Sequence, residues 1–264
     1  MDYQNILSEA SIIVKNAGAF IREHFGKVSV DEVIIKEPNS LVSYVDQQAE
    51  NILVSGLTPI LADAGFITEE ETIAQNQNQD VVWIIDPLDG TTNFLHNLRY
   101  FAVSVALQVN GKMVIGMVYD VMDDDLYHAI LGNGAFKNDS PIGVSLKPFT
   151  DSLIATGFPY AHYYNIDANL AIFKYMLTNA RGIRRYGAAA LDLCYVACGK
   201  LQGYYEGRLN PWDVAAGALI VQEAGGIVTD YNGGDSYGSG HQIIAASESI
   251  HKVMLENISL HLEA

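Results

Sequence analysis

The sequence contains little cysteine, little positive charge and no long apolar run. Its two cysteines, Cys194 and Cys198, share one apolar helical pattern, so we expect core thiols and no disulfide framework. No apolar run reaches the roughly 18 residues of a membrane span. The N-terminal stretch MDYQNILSEASIIVKNAGAF lacks the basic segment and the cleavage site of a secretory signal. We therefore expect a cytoplasmic protein that binds no membrane.

Positive side chains are outnumbered by negative ones. Lysine and arginine number 15 against 31 aspartates and glutamates, which gives a formal charge of −16. Such a chain repels the phosphates of nucleic acids, and we expect no nucleic-acid partner. It would also repel a phosphorylated substrate unless divalent cations lay between its carboxylates and the phosphate. The acidic balance is therefore compatible with metal dependence, although on composition alone solubility is the better explanation.

The hydrophobic patterns predict a layered α+β protein. Apolar residues spaced three and four apart predict a long first helix that ends near Gly26, and a second helix is predicted from about Asp46. Between them, SVDEVIIK is typical of a strand and EPNSL of a loop. Further on, Asn110-Gly111 between two apolar runs predicts a type I′ hairpin within an antiparallel meander. Helices and strands alternate towards the C-terminus, and together these patterns argue against a simple parallel doubly wound sheet.

The stretch WIIDPLDGTTNF, residues 83–94, ends a buried apolar strand with two aspartates. Pro87 removes a ladder donor and fixes φ, so the chain turns between Asp86 and Asp89. Both carboxylates can then point into one pocket beside the Leu88 carbonyl. Carboxylate and carbonyl oxygens are ligands that suit Mg²⁺. The residues GTTN that follow predict a helix start whose backbone N–H groups suit a phosphate.

Two further acidic segments lie at the ends of elements, namely TEEE after a short strand and Asp213 in the helix PWDVAAGALIVQEAGG. Each feature has a simpler explanation when it is considered alone. DPLDG is compatible with a strand-to-helix turn that has an aspartate N-cap, TEEE with a solvated charge run, and Asp213 with a favourable charge in a first helical turn. If the fold brought four acidic side chains together, their mutual repulsion would destabilise it unless cations neutralised the charge.

The combination of these motifs resembles the inositol monophosphatase family, the Mg²⁺-dependent, lithium-sensitive sugar and inositol phosphatases. WIIDPLDGTTNF matches the core motif, PWDVAAGALIVQEAGG the second signature, FITEEE the acidic segment before the core motif and LVSYVDQQAE the upstream aspartate segment. The resemblance runs from about Lys36 to the final strand. It implies a layered αβαβα sandwich formed by one catalytic domain over residues 1–264, with a metal-binding half (about 1–145) and a closely packed substrate-binding half (about 146–264).

The resemblance also implies which residues bind metal. The ligands would be Glu69, Asp86, the Leu88 carbonyl, Asp89 and Asp213, with Asp86 bridging two of two or three Mg²⁺ ions and with Li⁺ as an inhibitor. Thr68 stands where the family usually has glycine. This departure leaves open whether Glu70 shares the role of Glu69.

Catalytic and substrate-binding roles follow from the same resemblance. The catalytic residues would be Thr91, which orients the attacking water, Asp46, which supports it, and Glu69. Without the surrounding motif, Thr91 is compatible with helix capping and Asp46 with a surface position. The N–H groups of Gly90 and Thr91 would bind phosphate oxygens. The substrate would further be contacted by Gly187, Ala188, Ala189, Glu206 and Asp213.

The implied function is Mg²⁺-dependent hydrolysis of inositol monophosphate to inositol and phosphate by a metal-activated water. The motifs do not separate this activity from that of a broader phosphatase acting on the 2′-phosphate of NADP(H) or on fructose 1,6-bisphosphate. A family member with an added regulatory binding role is a third possibility. Family members are commonly homodimers, so we expect a homodimer that binds a small phosphate monoester.

Overall fold

The computed structural model describes residues 1–28, 33–37, 40–76, 79–158, 166–239 and 241–262, with the backbone alone described at 33–37 and 40–42. Its helices are α1 (Tyr3–His24), α2 (Tyr44–Leu57), α3 (Thr91–Leu95), α4 (Ile166–Asn179), α5 (Ala189–Ala197), α6 (Pro211–Glu223) and α7 (Glu248–Leu262). Its strands are β1 (Val33–Glu37), β2 (Ser40–Ser43), β3 (Gly65–Thr68), β4 (Val81–Asp89), β5 (Ala102–Val109), β6 (Lys112–Asp120), β7 (Asp125–Ile130), β8 (Ala135–Lys137), β9 (Ser140–Pro141), β10 (Leu153–Thr156), β11 (Gly182–Arg184), β12 (Gly203–Gly207), β13 (Ile227–Thr229) and β14 (Gln242–Ala246). Among the helices in these ranges, none has both the length and the apolar character that crossing a lipid bilayer requires.

The first sheet has the strand order β3-β4-β5-β6-β7-β8-β9. β3 and β4 are parallel, and each later pair of neighbours is antiparallel. The predicted β5–β6 hairpin is confirmed. Asn110 and Gly111 have φ of 49° and 77°, the left-handed values that a type I′ turn needs at both central residues. The core motif therefore lies on β4, near one edge of an otherwise antiparallel meander.

The second sheet has the strand order β11-β10-β12-β14-β13. β10 is parallel to both β11 and β12, whereas β14 is antiparallel to β12 and β13. This mixture of directions, together with the mainly antiparallel first sheet, agrees with the prediction that the protein is not a simple parallel doubly wound sheet.

Three hydrophobic clusters show how the helices cover the sheets. α1 and α2 pack on one face of the first sheet, through side chains such as Val14, Leu53 and Trp83. α5 and α6 lie between the two sheets, where Leu193 and Ile220 pack within a cluster that includes residues of both. α4 and α7 cover the outer face of the second sheet. The layers therefore run α-β-α-β-α, and the predicted layered α+β architecture is confirmed.

Several local predictions differ from the structure. The segment EPNSL, predicted as a loop, contains the start of β2, which pairs antiparallel with β1. The first part of the predicted strand SVDEVIIK, residues 29–32, lies outside the described residues. The sequence analysis does not predict β11. Cys198 lies just after α5 and is partly exposed, so of the two expected core thiols the structure buries Cys194 and not Cys198; both are free thiols.

Candidate active site

The end of β4 is distorted where Pro87 and Leu88 separate the two aspartates. Asp86 pairs with Ser104 of β5 and Asp89 with Ala102, so β4 has two intervening residues where β5 has one. This extra residue forms a β-bulge, a feature that bends a strand and changes the direction of its side chains. The Leu88 N–H donates to Asp86 Oδ1 over 2.9 Å. The predicted turn at Pro87 is wrong, because β4 continues through Pro87 to Asp89 and only bulges there; both aspartates are buried.

Four carboxylates lie close to one another at this point. Asp86 shares hydrogen bonds with Glu69, which follows β3, and with Asp213, in the first turn of α6. Burial, and then the negative charges of its neighbours, raises the pKa of Asp86 well above its usual value, and the pKa of Asp89 is raised for the same reasons. Loss of solvent is also the main cause that raises the pKa of Asp213 to about 7. The structure therefore brings together four of the predicted ligands from distant parts of the chain.

This carboxylate cluster, consisting of Glu69, Asp86, Asp89 and Asp213, has the donor chemistry that a Mg²⁺ site requires. Its ligand atoms are hard oxygens, and a divalent cation among them would favour the charged carboxylates that burial and repulsion disfavour. Within the described residues, no three His, Cys, Asp or Glu side chains are already arranged as a ligand set. Ion binding would thus exchange the hydrogen bonds between these carboxyl groups for bonds to the ion. The residues fit the predicted metal in chemistry and in proximity.

Thr91 contacts Asp46 across 45 residues of sequence. The Thr91 hydroxyl lies 2.9 Å from Asp46 Oδ1 and 3.1 Å from the Leu88 carbonyl oxygen, so its proton is directed to one of these acceptors. Gly90, with φ of 94°, is the N-cap residue of α3, and Thr91 is the first helical residue. The explanation of Thr91 as a helix cap is therefore wrong. Its hydroxyl instead faces the strand end and α2.

Asp46 is buried and held in place by the start of its own helix. Its side chain is 1% exposed, which rules out the alternative of a surface aspartate. Asp46 Oδ2 accepts from the backbone N–H of Ser43 over 2.8 Å and from the Ser43 hydroxyl over 2.7 Å, forming a capping box at the start of α2. Burial is the main cause that raises the pKa of Asp46. The capping box leaves Asp46 Oδ1 directed at Thr91.

The segment formed by Gly187, Ala188 and Ala189 lies against the start of α3. Gly187 has φ of 90°, and a Cβ placed on Gly90 would be 3.2 Å from the Cβ of Ala188. Asn93 connects the two places, because its Nδ2 donates to the carbonyl oxygens of Tyr100 and Tyr186, each over 2.8 Å. The predicted phosphate-binding and alcohol-binding segments are therefore adjacent in the structure.

Glu206 lies at the end of β12, on the side of the cluster that belongs to the second sheet. Its negative charge raises the pKa values of Asp89 and Asp213, which shows that the three carboxylates are close. Glu206 Oε2 accepts from the Tyr204 hydroxyl over 2.6 Å, and loss of solvent raises the pKa of Glu206 to about 6. The structure places this residue beside the candidate metal site.

The sequence analysis missed several residues that shape the site. Asn93 belongs to the quoted core motif, and its position after two threonines was the available signal. Gly157 had no signal: a Cβ there would lie 2.0–2.1 Å from the Glu206 carboxylate, so the absence of a side chain makes room for Glu206. Glu50 belongs to the quoted segment LVSYVDQQAE, four residues after Asp46. Residues four apart lie on the same side of a helix, which was the available signal for Glu50.

Comparisons with known proteins extend over nearly the whole chain. The family model described as the inositol monophosphatase family matches residues 2–263. Inositol-1-monophosphatase of Mesorhizobium japonicum is 37% identical over 264 residues, which cover 98% of this chain and 97% of that protein. Nus factor SuhB of Haemophilus influenzae is 39% identical over 254 residues, which cover 96% of this chain and 95% of that protein.

A similar solved structure extends the comparison to the fold. The structure of inositol monophosphatase from Anabaena (Nostoc) sp. PCC 7120 has a TM-score of 0.86 to this chain at 32% identity, and the match covers 98% of this chain and 97% of that one. The motifs, the layered fold and the whole-chain similarities lead to the same assignment. The chain belongs to the inositol monophosphatase family.

Proposed function

We propose that this protein is a cytoplasmic Mg²⁺-dependent phosphomonoesterase that hydrolyses inositol monophosphate to inositol and phosphate. The observation that carries the proposal is the carboxylate cluster beside the start of α3, with Thr91 and Asp46 in contact at its edge. The relative from M. japonicum, which is named inositol-1-monophosphatase and matches nearly the whole chain, supports the choice of substrate.

Glu69, Asp86, the Leu88 carbonyl, Asp89 and Asp213 would hold two or three Mg²⁺ ions. When bound, such ions lower the pKa of a coordinated water and neutralise charge on the phosphoryl group. The hydrogen bonds within the cluster join Asp86 to both Glu69 and Asp213, which supports their acting as ligands together.

Thr91 orients the attacking water in this proposal. Because its hydroxyl proton is directed to Asp46 or to the Leu88 carbonyl, the Thr91 oxygen presents lone pairs to a water and can accept a hydrogen bond from it. The water then keeps a lone pair for the phosphorus atom. Hydrolysis of a phosphate monoester depends mainly on such positioning and on charge neutralisation, and it requires no nucleophilic side chain.

The substrate would lie between the two halves of the site. The N–H groups of Gly90 and Thr91 are the proposed donors to phosphate oxygens. Glu206 offers a carboxylate that accepts hydrogen bonds from vicinal hydroxyls, and the backbone at Gly187, Ala188 and Ala189 lines the same place. A polyol such as inositol supplies the hydroxyls that this arrangement needs.

The test is release of phosphate with Mg²⁺, with and without Li⁺, from inositol 1-phosphate, NADP⁺ and fructose 1,6-bisphosphate. A strong preference for inositol 1-phosphate, suppressed by Li⁺, is the expected result. Comparable or higher rates on NADP⁺ or the bisphosphate would favour the broader phosphatase. No release from any of the three would overturn the proposal.

A second candidate is a regulatory binding role beside hydrolysis. It is favoured by the name of the relative from H. influenzae, Nus factor SuhB, at 39% identity over nearly the whole chain. An Asp89→Asn variant separates the two roles in cells that lack the native protein. Growth restored by this variant would favour the binding role, and a failure to restore growth would favour hydrolysis.

We also propose that the chain forms a homodimer, as the family resemblance implies. Sedimentation equilibrium should give twice the chain mass of 28.8 kDa. A single species at the chain mass would contradict this proposal.

A further inference from the structure

Glu50 is a fully buried carboxylate that the proposed reaction does not use. It lies in α2 and is 0% exposed. A buried carboxylate is costly unless hydrogen bonds satisfy its oxygens. Within the described residues, the hydrogen-bond partners of the Glu50 carboxylate all belong to the short segment that contains Glu69.

The bonds to Glu50 enclose Glu69 from both sides. Glu50 Oε1 accepts from the Thr68 hydroxyl over 3.0 Å and from the backbone N–H and hydroxyl of Thr72, each over 2.7 Å. Glu50 Oε2 accepts from the backbone N–H of Glu70 over 2.8 Å. The residues directly before and after Glu69 are therefore both fixed to one carboxylate, which sets the direction in which the Glu69 side chain leaves the backbone.

The fixed segment has a backbone that is unfavourable without support. Glu71 has φ of 50°, a left-handed conformation that residues with a Cβ rarely adopt. Gln75 also holds this segment through hydrogen bonds to Thr68. Its Oε1 accepts from the Thr68 N–H over 2.8 Å, and its Nε2 donates to the Thr68 hydroxyl over 3.0 Å. The Glu50 carboxylate thus stabilises a turn that would otherwise have alternative conformations.

Asp46 and Glu50 lie one turn apart on the same side of α2. Asp46 holds the Thr91 hydroxyl, and Glu50 holds the segment around Glu69. One helix therefore supports two separate parts of the site: the group that orients water and a predicted metal ligand.

We propose that Glu50 is a positioning residue that fixes Glu69 for Mg²⁺ binding by clamping the backbone of residues 68–72. The inference rests on the metal site of the proposed function. It goes beyond that function because Glu50 itself touches neither metal nor substrate. If Glu50 had only a structural role, replacing it would lower the stability of the fold without changing the affinity for Mg²⁺.

The test replaces Glu50 with Gln. Glutamine keeps the size of the side chain, but its NH₂ group stands where one carboxylate oxygen accepts a hydrogen bond from a backbone N–H. Titration calorimetry with Mg²⁺ alone should show an affinity at least about 10-fold weaker than that of the wild type, the usual cost of losing a group that orients a metal ligand. Amide hydrogen exchange at Glu70 and Thr72 should become faster. In the activity assay, the Mg²⁺ concentration at half-maximal rate should rise by a similar factor.

Glu223→Gln is the matched control. Glu223 also accepts two backbone N–H groups, those of Gly132 and Gly134, each over 2.8 Å. It lies at the far end of α6, about 15 Å along the helix from Asp213. We expect this variant to lose some stability and to keep the wild-type affinity for Mg²⁺.

The outcomes separate this inference from the proposed function. If the wild type binds Mg²⁺ but hydrolyses no substrate, the proposed function fails while calorimetry and exchange still decide the role of Glu50. Equal Mg²⁺ affinity in the Glu50→Gln and Glu223→Gln variants would overturn the inference, as would a wild type that binds no Mg²⁺.

If Glu50→Gln does not fold, Thr72→Val is the alternative variant, because it removes one hydroxyl hydrogen bond to Glu50. It should also weaken Mg²⁺ binding, by a smaller factor. Unchanged binding in that variant would likewise overturn the inference.

Discussion

The Asp89 carboxylate accepts a hydrogen bond of 2.7 Å from the backbone N–H of Ala190, 101 residues later in the chain. Asp89 ends β4 of the first sheet, and Ala190 is in the first turn of α5, which lies between the two sheets. This bond joins the candidate metal site directly to the segment proposed to bind the alcohol. It therefore fixes the distance between the two groups of residues that a bound substrate would contact together.

Asp89→Asn should abolish phosphate release without unfolding the protein. The amide oxygen of asparagine can still accept from Ala190, whereas the negative charge needed for Mg²⁺ is lost. We expect a rate at least about 100-fold lower at saturating Mg²⁺, with an unchanged circular dichroism spectrum. Asp230→Asn is a matched control, because Asp230 is also 8% exposed and also accepts backbone N–H groups, from Asn232 and Gly234. Retained activity in Asp89→Asn would contradict the assignment of Asp89 as a metal ligand.

Thr91→Val should lower kcat and leave KM nearly unchanged. Valine keeps the shape of threonine but cannot accept a hydrogen bond from the attacking water or donate one to Asp46. A loss of about 100-fold in kcat is expected for removal of a group that positions a proton in the reaction. Thr91→Ser keeps the hydroxyl and should restore most of the rate. Steady-state kinetics on inositol 1-phosphate check this, and equal rates for the valine and serine variants would rule out the role of the hydroxyl.

Gly157→Ala should weaken substrate binding more than metal binding. The added Cβ would lie 2.0–2.1 Å from atoms of the Glu206 carboxylate, so this far end of the side chain would have to move. Displacement of Glu206 removes its proposed hydrogen bonds to the alcohol, so KM should rise by about 10-fold, the effect of roughly one hydrogen bond. Gly238→Ala is the control, because a Cβ at Gly238 would meet no atom within 4 Å. An unchanged KM in Gly157→Ala would argue against contact between Glu206 and the substrate.

Without metal, the protein should become less stable as the pH rises. Asp213 has its pKa raised to about 7 in the folded protein, against an ordinary value of 3.8. Between these values the folded state binds more protons than the unfolded chain, so the free energy of unfolding falls as the pH increases. Melting temperatures measured in EDTA should decline from about pH 4 to about pH 7.

Mg²⁺ and an Asp213→Asn variant provide the controls for this pH dependence. Mg²⁺ favours the charged carboxylates, so its stabilising effect should be largest at the upper end of the range. Asp213→Asn removes one titrating group and should flatten the decline in EDTA. A decline of the same size in the variant and the wild type would show that other groups cause it.

The sequence predicts the parts of this structure whose signals are local. Asp86 and Asp89 stand out because they interrupt an apolar run at a proline, and Asn110-Gly111 stands out because few other dipeptides suit a type I′ turn. The three-residue strand β11 is too short to show any periodicity, and it exists because residues 153–155 of β10 pair with it. Its existence therefore depends on tertiary context.

The choice between Glu69 and Glu70 illustrates the same limit. The run of three glutamates does not show which side chain faces the other carboxylates. In the structure Glu69 shares a hydrogen bond with Asp86, while the backbone of Glu70 is bound by Glu50. The distinction comes from α2, which is distant in sequence, so residues 68–71 alone could not have provided it.

Under the proposed function, the division of the site between two sheets would separate the residues of catalysis from those of substrate choice. Most of the predicted metal ligands lie on the first sheet and its loops, whereas Gly187, Ala188, Ala189 and Glu206 belong to the part of the chain that builds the second sheet and the helices on it. Substitutions in that second part would then alter which alcohol binds and would leave most of the metal site unchanged. Asp213 and the hydrogen bond from Ala190 to Asp89 limit which substitutions are tolerated. A change that moves either would disturb both the predicted metal ligands and the predicted substrate-binding residues.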